Sequence, residues 1–146
     1  MRIEGDCTEK GLFLVCYFVA PGQTKWETIS FQVDTGSRPT LISEKDAKKI
    51  GLEYGKLKTS PKAIYGLGGK TRPYTLRNVV FVFDSDEGMQ EIPLGSVEAV
   101  RYEGRRKDIK EQMMSIPSLL GWDFFWKRNF RIEIDCAKEK FYVTKS

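Results

Sequence analysis

The run GLFLVCYFVA, Gly11 to Ala20, is followed by Pro21-Gly22 and by a second run from Trp26 to Val33. No other feature constrains the fold as strongly. Aromatic and β-branched side chains dominate both runs, and such residues suit a pleated, half-buried surface. The Pro-Gly pair supplies a turn, so the two runs read as a β-hairpin. The rhythm continues along the chain. Further strand candidates are Lys62 to Tyr65, Tyr74 to Phe83, Met89 to Leu94 and Val97 to Tyr102, and FRIEID and KFYVTK form a terminal hairpin around Cys136 to Glu139. Two short segments read as helix. Ser43 is a candidate N-cap, with Asp46 three positions later and Gly51 to stop the helix, and a second helix follows Gly121. The charged stretch Glu103 to Gln112 lacks a decisive period and reads as an exposed loop or a frayed helical excursion. Many short strands with one or two short helices predict a mainly β fold, a barrel or a folded-over sheet.

A chain of 146 residues can bury one sizeable core. Any site must then be built on that core or at a contact between copies. Histidine is absent, which removes Ser-His and Cys-His nucleophile pairs and every His-containing metal site. Chemistry is left to carboxylates or Lys, and no metal or cofactor is expected. Cys7, Cys16 and Cys136 are odd in number and show no CxxC spacing, so reduced thiols and a cytoplasmic location are expected, whether the chain stands alone or is a segment of a longer protein. No apolar run is long enough to span a bilayer, and Glu4 and Asp6 do not suit a signal peptide. The net charge of +4 comes from interleaved acids and bases. That pattern suits a solvated surface, and the basic run Arg105, Arg106 and Lys107 reads as an exposed loop, so no nucleic-acid partner is expected.

One segment carries a chemical signal. In ISFQVDTGSRPTLIS, Ile29, Phe31 and Val33 share a face, so a half-buried strand delivers Asp34 at its end. Thr35 and Gly36 then force a turn, where Gly permits close approach of another backbone and the hydroxyls of Thr35 and Ser37 can hydrogen-bond a carboxylate. An ordinary turn after a strand has the same composition.

The neighbouring segments separate these readings. FQVDTGS resembles the hydrophobic-hydrophobic-Asp-Thr-Gly-Ser signature of the retropepsin-like aspartic proteases, and TLISEKDAKKIGL resembles the segment that follows it in many members. AIYGLGGKT is similar to the family's glycine-rich flap, with Tyr65, Gly66, Leu67, Gly68 and Gly69 at the tip. IPSLLGWDFF is similar to its hydrophobic-hydrophobic-Gly motif and the helix after it, with Leu119, Leu120 and Gly121 in the motif. The resemblance covers most of Trp26 to Val143. It implies that residues 1–146 form a single retropepsin-like aspartic protease domain with an acid-protease barrel fold.

The resemblance also implies roles. Asp34 is the catalytic acid, Thr35, Gly36 and Ser37 support its loop, and the flap residues close over a polypeptide substrate. Leu119, Leu120 and Gly121 pack beneath the Asp34 loop. Ser37 is implied to donate to the outer oxygen of Asp34, which favours the charged form and shifts activity toward acid. Aspartic proteases cleave amides with two carboxylates sharing a proton, one acting as base and the other as acid. This chain carries one such motif, so the family mechanism implies a homodimer in which a second copy supplies the other carboxylate. In retroviral members the terminal segments add an intermolecular sheet, which here implicates Met1 to Glu4 and Phe141 to Thr144. One departure stands out: Arg38 and Pro39 follow Ser37 where retroviral members carry a substrate-binding acid. The alternative functional reading is a catalytically weak dimerisation or peptide-binding module of the same family.

Overall fold

The computed structural model describes residues 1–59, 71–126 and 128–145. Among them, twelve strands join in one sheet. In chain order they are β1 (Arg2–Thr8), β2 (Gly11–Val19), β3 (Glu27–Val33), β4 (Leu41–Ile42), β5 (Lys58–Thr59), β6 (Thr71–Arg77), β7 (Val80–Ser85), β8 (Gly88–Pro93), β9 (Ser96–Tyr102), β10 (Ser118–Leu120), β11 (Arg131–Asp135) and β12 (Lys140–Thr144). Three helices, α1 (Glu44–Lys49), α2 (Lys107–Met113) and α3 (Trp122–Trp126), and a 3-10 turn at Tyr54–Lys56 complete the described residues. The main path of the sheet runs β11-β12-β1-β2-β3-β10-β4-β9-β6-β5, with β7 joined to β2 and β8.

The expected hairpin is β2 and β3, paired antiparallel from Phe13 opposite Gln32 to Phe18 opposite Glu27. Alternation along β2 buries Leu14, Cys16 and Phe18, and these meet Ile29 and Phe31 from β3. Phe81 of β7 lies at the centre of an aromatic cluster, with ring centroids 5.4 Å from Phe18, 5.5 Å from Phe31 and 5.4 Å from Phe124. Burying each such ring contributes about 1.5–3 kcal/mol. Because Phe31 precedes Asp34 by three residues and Phe124 follows Gly121 by three, one core fixes both sides of the Asp34 loop.

Three elements differ from the sequence expectation. The run Tyr74 to Phe83 divides into β6 and β7 because the chain bends at Asn78 while continuing opposite β9 and β8 in one register; the φ of 55° at Asn78 is one that Asn tolerates better than most residues. The charged stretch after Glu103, read as a loop or a helical excursion, contains the helix α2. Its Met113, with Ile109 one turn earlier, covers a second apolar cluster of Leu41, Val100 and Tyr102, so two apolar residues at helical spacing order a segment that is otherwise solvated. The third difference concerns the termini. β1 pairs with β12 from Arg2 opposite Thr144 to Asp6 opposite Lys140, and β12 pairs on its other side with β11. β1 in turn meets β2 through Asp6, Cys7 and Thr8. The terminal strands thus pair within the chain, and β11 forms one end of the sheet among the described residues.

Candidate active site

Asp34 sits one residue beyond β3 and is half-buried. Its backbone N–H donates to the carbonyl of Leu120 at 3.0 Å, which extends the β3-β10 pairing by one rung. Its Oδ1 accepts the Gly36 N–H at 3.0 Å, and its carbonyl accepts the Ser37 N–H at 3.1 Å. Two backbone amides thus define the turn, and one of them orients the carboxylate. A Cβ on Gly36 would lie 3.3 Å from that same Oδ1, a tight contact against the carboxylate. Thr35 and Gly36 face solvent.

The Ser37 hydroxyl departs from the role the resemblance implies. It donates to the carbonyl of Pro39 at 2.8 Å. A hydroxyl has one proton to give, and here it closes the turn after the loop.

Beneath the loop, β10 lies between β3 and β4. It runs parallel to β3, with Leu119 opposite Gln32 and Leu120 opposite Val33, and antiparallel to β4, with Leu119 opposite Leu41. Strand alternation sends Leu120 into the main core and leaves Leu119 packed against the second cluster. Gly121 then meets the loop backbone directly. A Cβ there would lie 2.3 Å from the Pro39 carbonyl oxygen and 2.9 Å from that of Ser37. Since both obstacles are main chain, only glycine fits.

The clamp is completed by residues that the sequence reading did not single out. The Trp122 N–H donates to the Ser37 carbonyl at 2.7 Å, and the Asp123 N–H donates to that of Arg38 at 3.0 Å. The Asp123 carboxylate accepts the hydroxyl of the fully buried Thr40 at 2.8 Å and its N–H at 3.1 Å. Thr40 Oγ1 also accepts the Gly121 N–H at 3.0 Å. One hydroxyl and one carboxylate therefore lock the loop to the start of α3. Asp123 has a local signal, an acid in the first turn of a helix, but nothing in the sequence names Thr40 as its partner.

A second buried polar cluster supports β10 from α1. The buried Asp46 carboxylate accepts the Ser118 hydroxyl at 2.6 Å and the Ser43 hydroxyl at 3.2 Å, while Ser43 Oγ caps the helix by accepting the Asp46 N–H. The predicted cap thus also fastens the strand that carries the Leu-Leu-Gly motif.

The flap candidates Tyr65, Gly66, Leu67, Gly68 and Gly69 lie outside the described residues. On either side of residues 60–70, β5 and β6 pair antiparallel, Lys58 opposite Thr75 and Thr59 opposite Tyr74. Tyr54 and Tyr74 meet edge to face at 5.1 Å beneath this pairing. The Tyr54 hydroxyl donates to the Val100 carbonyl at 2.8 Å, and burial, aided by Glu44, pushes its pKa well above the ordinary phenol range. The Tyr74 hydroxyl donates to Glu103, which raises its pKa in the same direction. Both phenols stay protonated at neutral pH and act as donors.

Beside the loop, Arg38, Trp122, Asp123, Trp126 and Arg128 line a groove of about 560 Å³. Trp122 and Trp126 are exposed at 42% and 65%, and their rings lie 5.7 Å apart. Arg38 brings a cation to this groove where retroviral members have an acid. Among the described residues no cluster of His, Cys, Asp and Glu could hold a metal ion, and no helix is long and apolar enough to cross a membrane.

The family model for aspartyl proteases matches residues 20–124. Among solved structures, a retropepsin-like aspartic protease from Rickettsia conorii is similar at a TM-score of 0.57 and 22% identity, over 98% of this chain and 89% of that one. No curated protein matches the sequence. The structural likeness speaks to the fold. The family match runs unbroken from the end of β2 through the Asp34 loop to α3, and the chain belongs to the aspartyl protease family, with the retropepsin-like fold.

Proposed function

We propose that this chain is an aspartic endopeptidase, one domain across residues 1–146, that works as a homodimer and hydrolyses polypeptides at or near apolar residues. The observation that carries this reading is the single Asp34 carboxylate, aimed by the Gly36 amide and held by the main chain of Leu120. The family and the fold support a protease role. One carboxylate cannot be base and acid at once, so the second comes from Asp34 of a partner copy related by a two-fold axis.

In the assembled site the ionised carboxylate takes a proton from water as the water oxygen attacks the scissile carbonyl carbon. The protonated carboxylate gives its proton to the carbonyl oxygen. Collapse of the tetrahedral intermediate breaks the C–N bond: the leaving amine takes a proton from the first carboxylate, and one hydroxyl of the intermediate returns its proton to the second as the C=O bond re-forms. No cofactor is needed. In this scheme Thr35, Gly36 and Ser37 hold the loop, Leu119, Leu120 and Gly121 hold it from below, and Tyr65 to Gly69 cover the substrate.

The free edge of β11 offers a route to the dimer. Two copies meeting there would continue the sheet across the two-fold axis, since an unpaired strand edge is a template for pairing. The test is cleavage of a denatured-protein or peptide library by wild type and Asp34→Asn from acidic to neutral pH. The variant is expected to lose about 10²-fold or more in turnover while remaining folded. Equal cleavage by both would remove the aspartic mechanism, and no cleavage by either would favour the binding module.

A further inference from the structure

Cys7 and Cys136 are 129 positions apart in sequence, yet their sulfurs lie 3.9 Å apart. Cys7 is the last inward-facing residue of β1 and is buried, whereas Cys136 opens the turn between β11 and β12 and is exposed. The backbone holds the two segments together independently of the thiols: the Cys7 N–H donates to the Glu139 carbonyl at 3.0 Å, and the adjacent rung pairs Asp6 with Lys140. Both cysteines are free thiols.

We propose that Cys7 and Cys136 form a reversible thiol–disulfide modification site that clips β1 to the β11-β12 turn. A disulfide bond is about 2.05 Å long, so the sulfurs must approach by a little under 2 Å. Cys136 lies in an exposed turn, where side-chain rotation can supply that movement without shifting the strands. Cys16 takes no part. It is buried in the main core, where burial alone drives its thiol far toward the protonated form.

The oxidant is a small-molecule disulfide of the glutathione class. The exposed Cys136 thiolate attacks one sulfur of that disulfide, displacing one small thiolate and forming a mixed disulfide. The Cys7 thiolate then attacks Cys136 Sγ and displaces the second small thiolate. The protein loses two protons and two electrons, and one small disulfide becomes two small thiols. Burial, followed by the nearby Cys136 sulfur and by the charges of Glu139 and Asp135, raises the Cys7 pKa. Cys7 is accordingly the slower, resolving thiol, and a thiol reductant reverses both steps.

The bond would close a loop of nearly the whole chain at the point where its terminal strands meet, a geometry that restricts the unfolded state. The prediction is independent of the protease reading, because it concerns the terminal sheet and needs no activity for its readout.

The test equilibrates wild type, Cys7→Ser, Cys136→Ser and Cys16→Ser in glutathione buffers of graded redox poise, followed by alkylation, intact mass and peptide mapping. Wild type and Cys16→Ser should lose about 2 Da under oxidising conditions, yield a linked Cys7–Cys136 peptide and gain roughly 5 °C or more in Tm. Thiol reductant should reverse all three changes. A Cys136 that stops at the glutathione adduct would overturn the proposal, as would disulfide-linked dimers through Cys136 or thiols that stay free at every poise. Cys136→Ser keeps the strand residue intact, so it remains an informative control if Cys7→Ser fails to fold.

Discussion

Around Asp34, glycines and hydroxyls divide the labour of holding one carboxylate still. Gly36 gives its amide to Oδ1 and leaves no side chain to crowd that oxygen, and Gly121 is required because the backbone of Ser37 and Pro39 passes where a Cβ would stand. Ser37 serves the turn. Its hydroxyl proton goes to the Pro39 carbonyl, so Ser37→Ala should cost roughly 0.5–1.5 kcal/mol of stability, the usual worth of such a bond, and leave both limbs of the pH–rate profile in place. The check compares kcat/KM and kcat against pH for the two forms. An alkaline limb displaced upward in the variant would mean that the hydroxyl turns to Asp34 in the assembled site, because losing a donor to the charged form favours protonation.

Among the elements, β10 matters most, since its three residues between β3 and β4 support the loop from below and lead into the clamp at the start of α3. Their short length gives no strand signal, and the apolar pair followed by glycine was legible only as a buried motif. α2 was hidden by its charge, with only Ile109 and Met113 facing the protein. β11 bears on assembly. Its outer edge has no partner strand among the described residues, and Ile134 on it is 55% exposed. If two copies join there, Ile134→Lys should weaken the dimer by about tenfold or more, since a lysine on a strand edge opposes pairing and faces its symmetry mate across the axis. Monomer stability should change by no more than about 0.5 kcal/mol. Sedimentation at several concentrations separates the effects, and an unaltered dimer would place the seam elsewhere.

At the scale of the molecule, the proposed function makes the chain one half of a catalytic pair. The aromatic cluster around Phe81 reaches both flanks of the loop through Phe31 and Phe124, so the Asp34 loop is anchored by the core of its own chain. Mixing therefore distinguishes a shared site from a self-sufficient one. When wild type is equilibrated with an equal amount of Asp34→Asn, about a quarter of randomly paired dimers keep two aspartates, and turnover per wild-type chain should fall by about half. A tenfold excess of variant should nearly abolish it. Constant turnover per wild-type chain would mean that each chain acts alone.

The sequence by itself determined what depends on near neighbours. The β2-β3 hairpin follows from two β-rich runs and Pro-Gly, the start of α1 from Ser43 and Asp46, and the placement of an acid at a strand end from Val33, Asp34 and Gly36, all within a few residues of one another. Tertiary structure decided what depends on which distant edges meet. Thr40 and Asp123 are 83 positions apart, and Cys7 and Cys136 are 129 apart. The pairing of β12 with β1 of the same chain is likewise non-local. Such pairings are set by loop closure and by the packing of the whole core, and a strand's local pattern is the same whichever edge it joins.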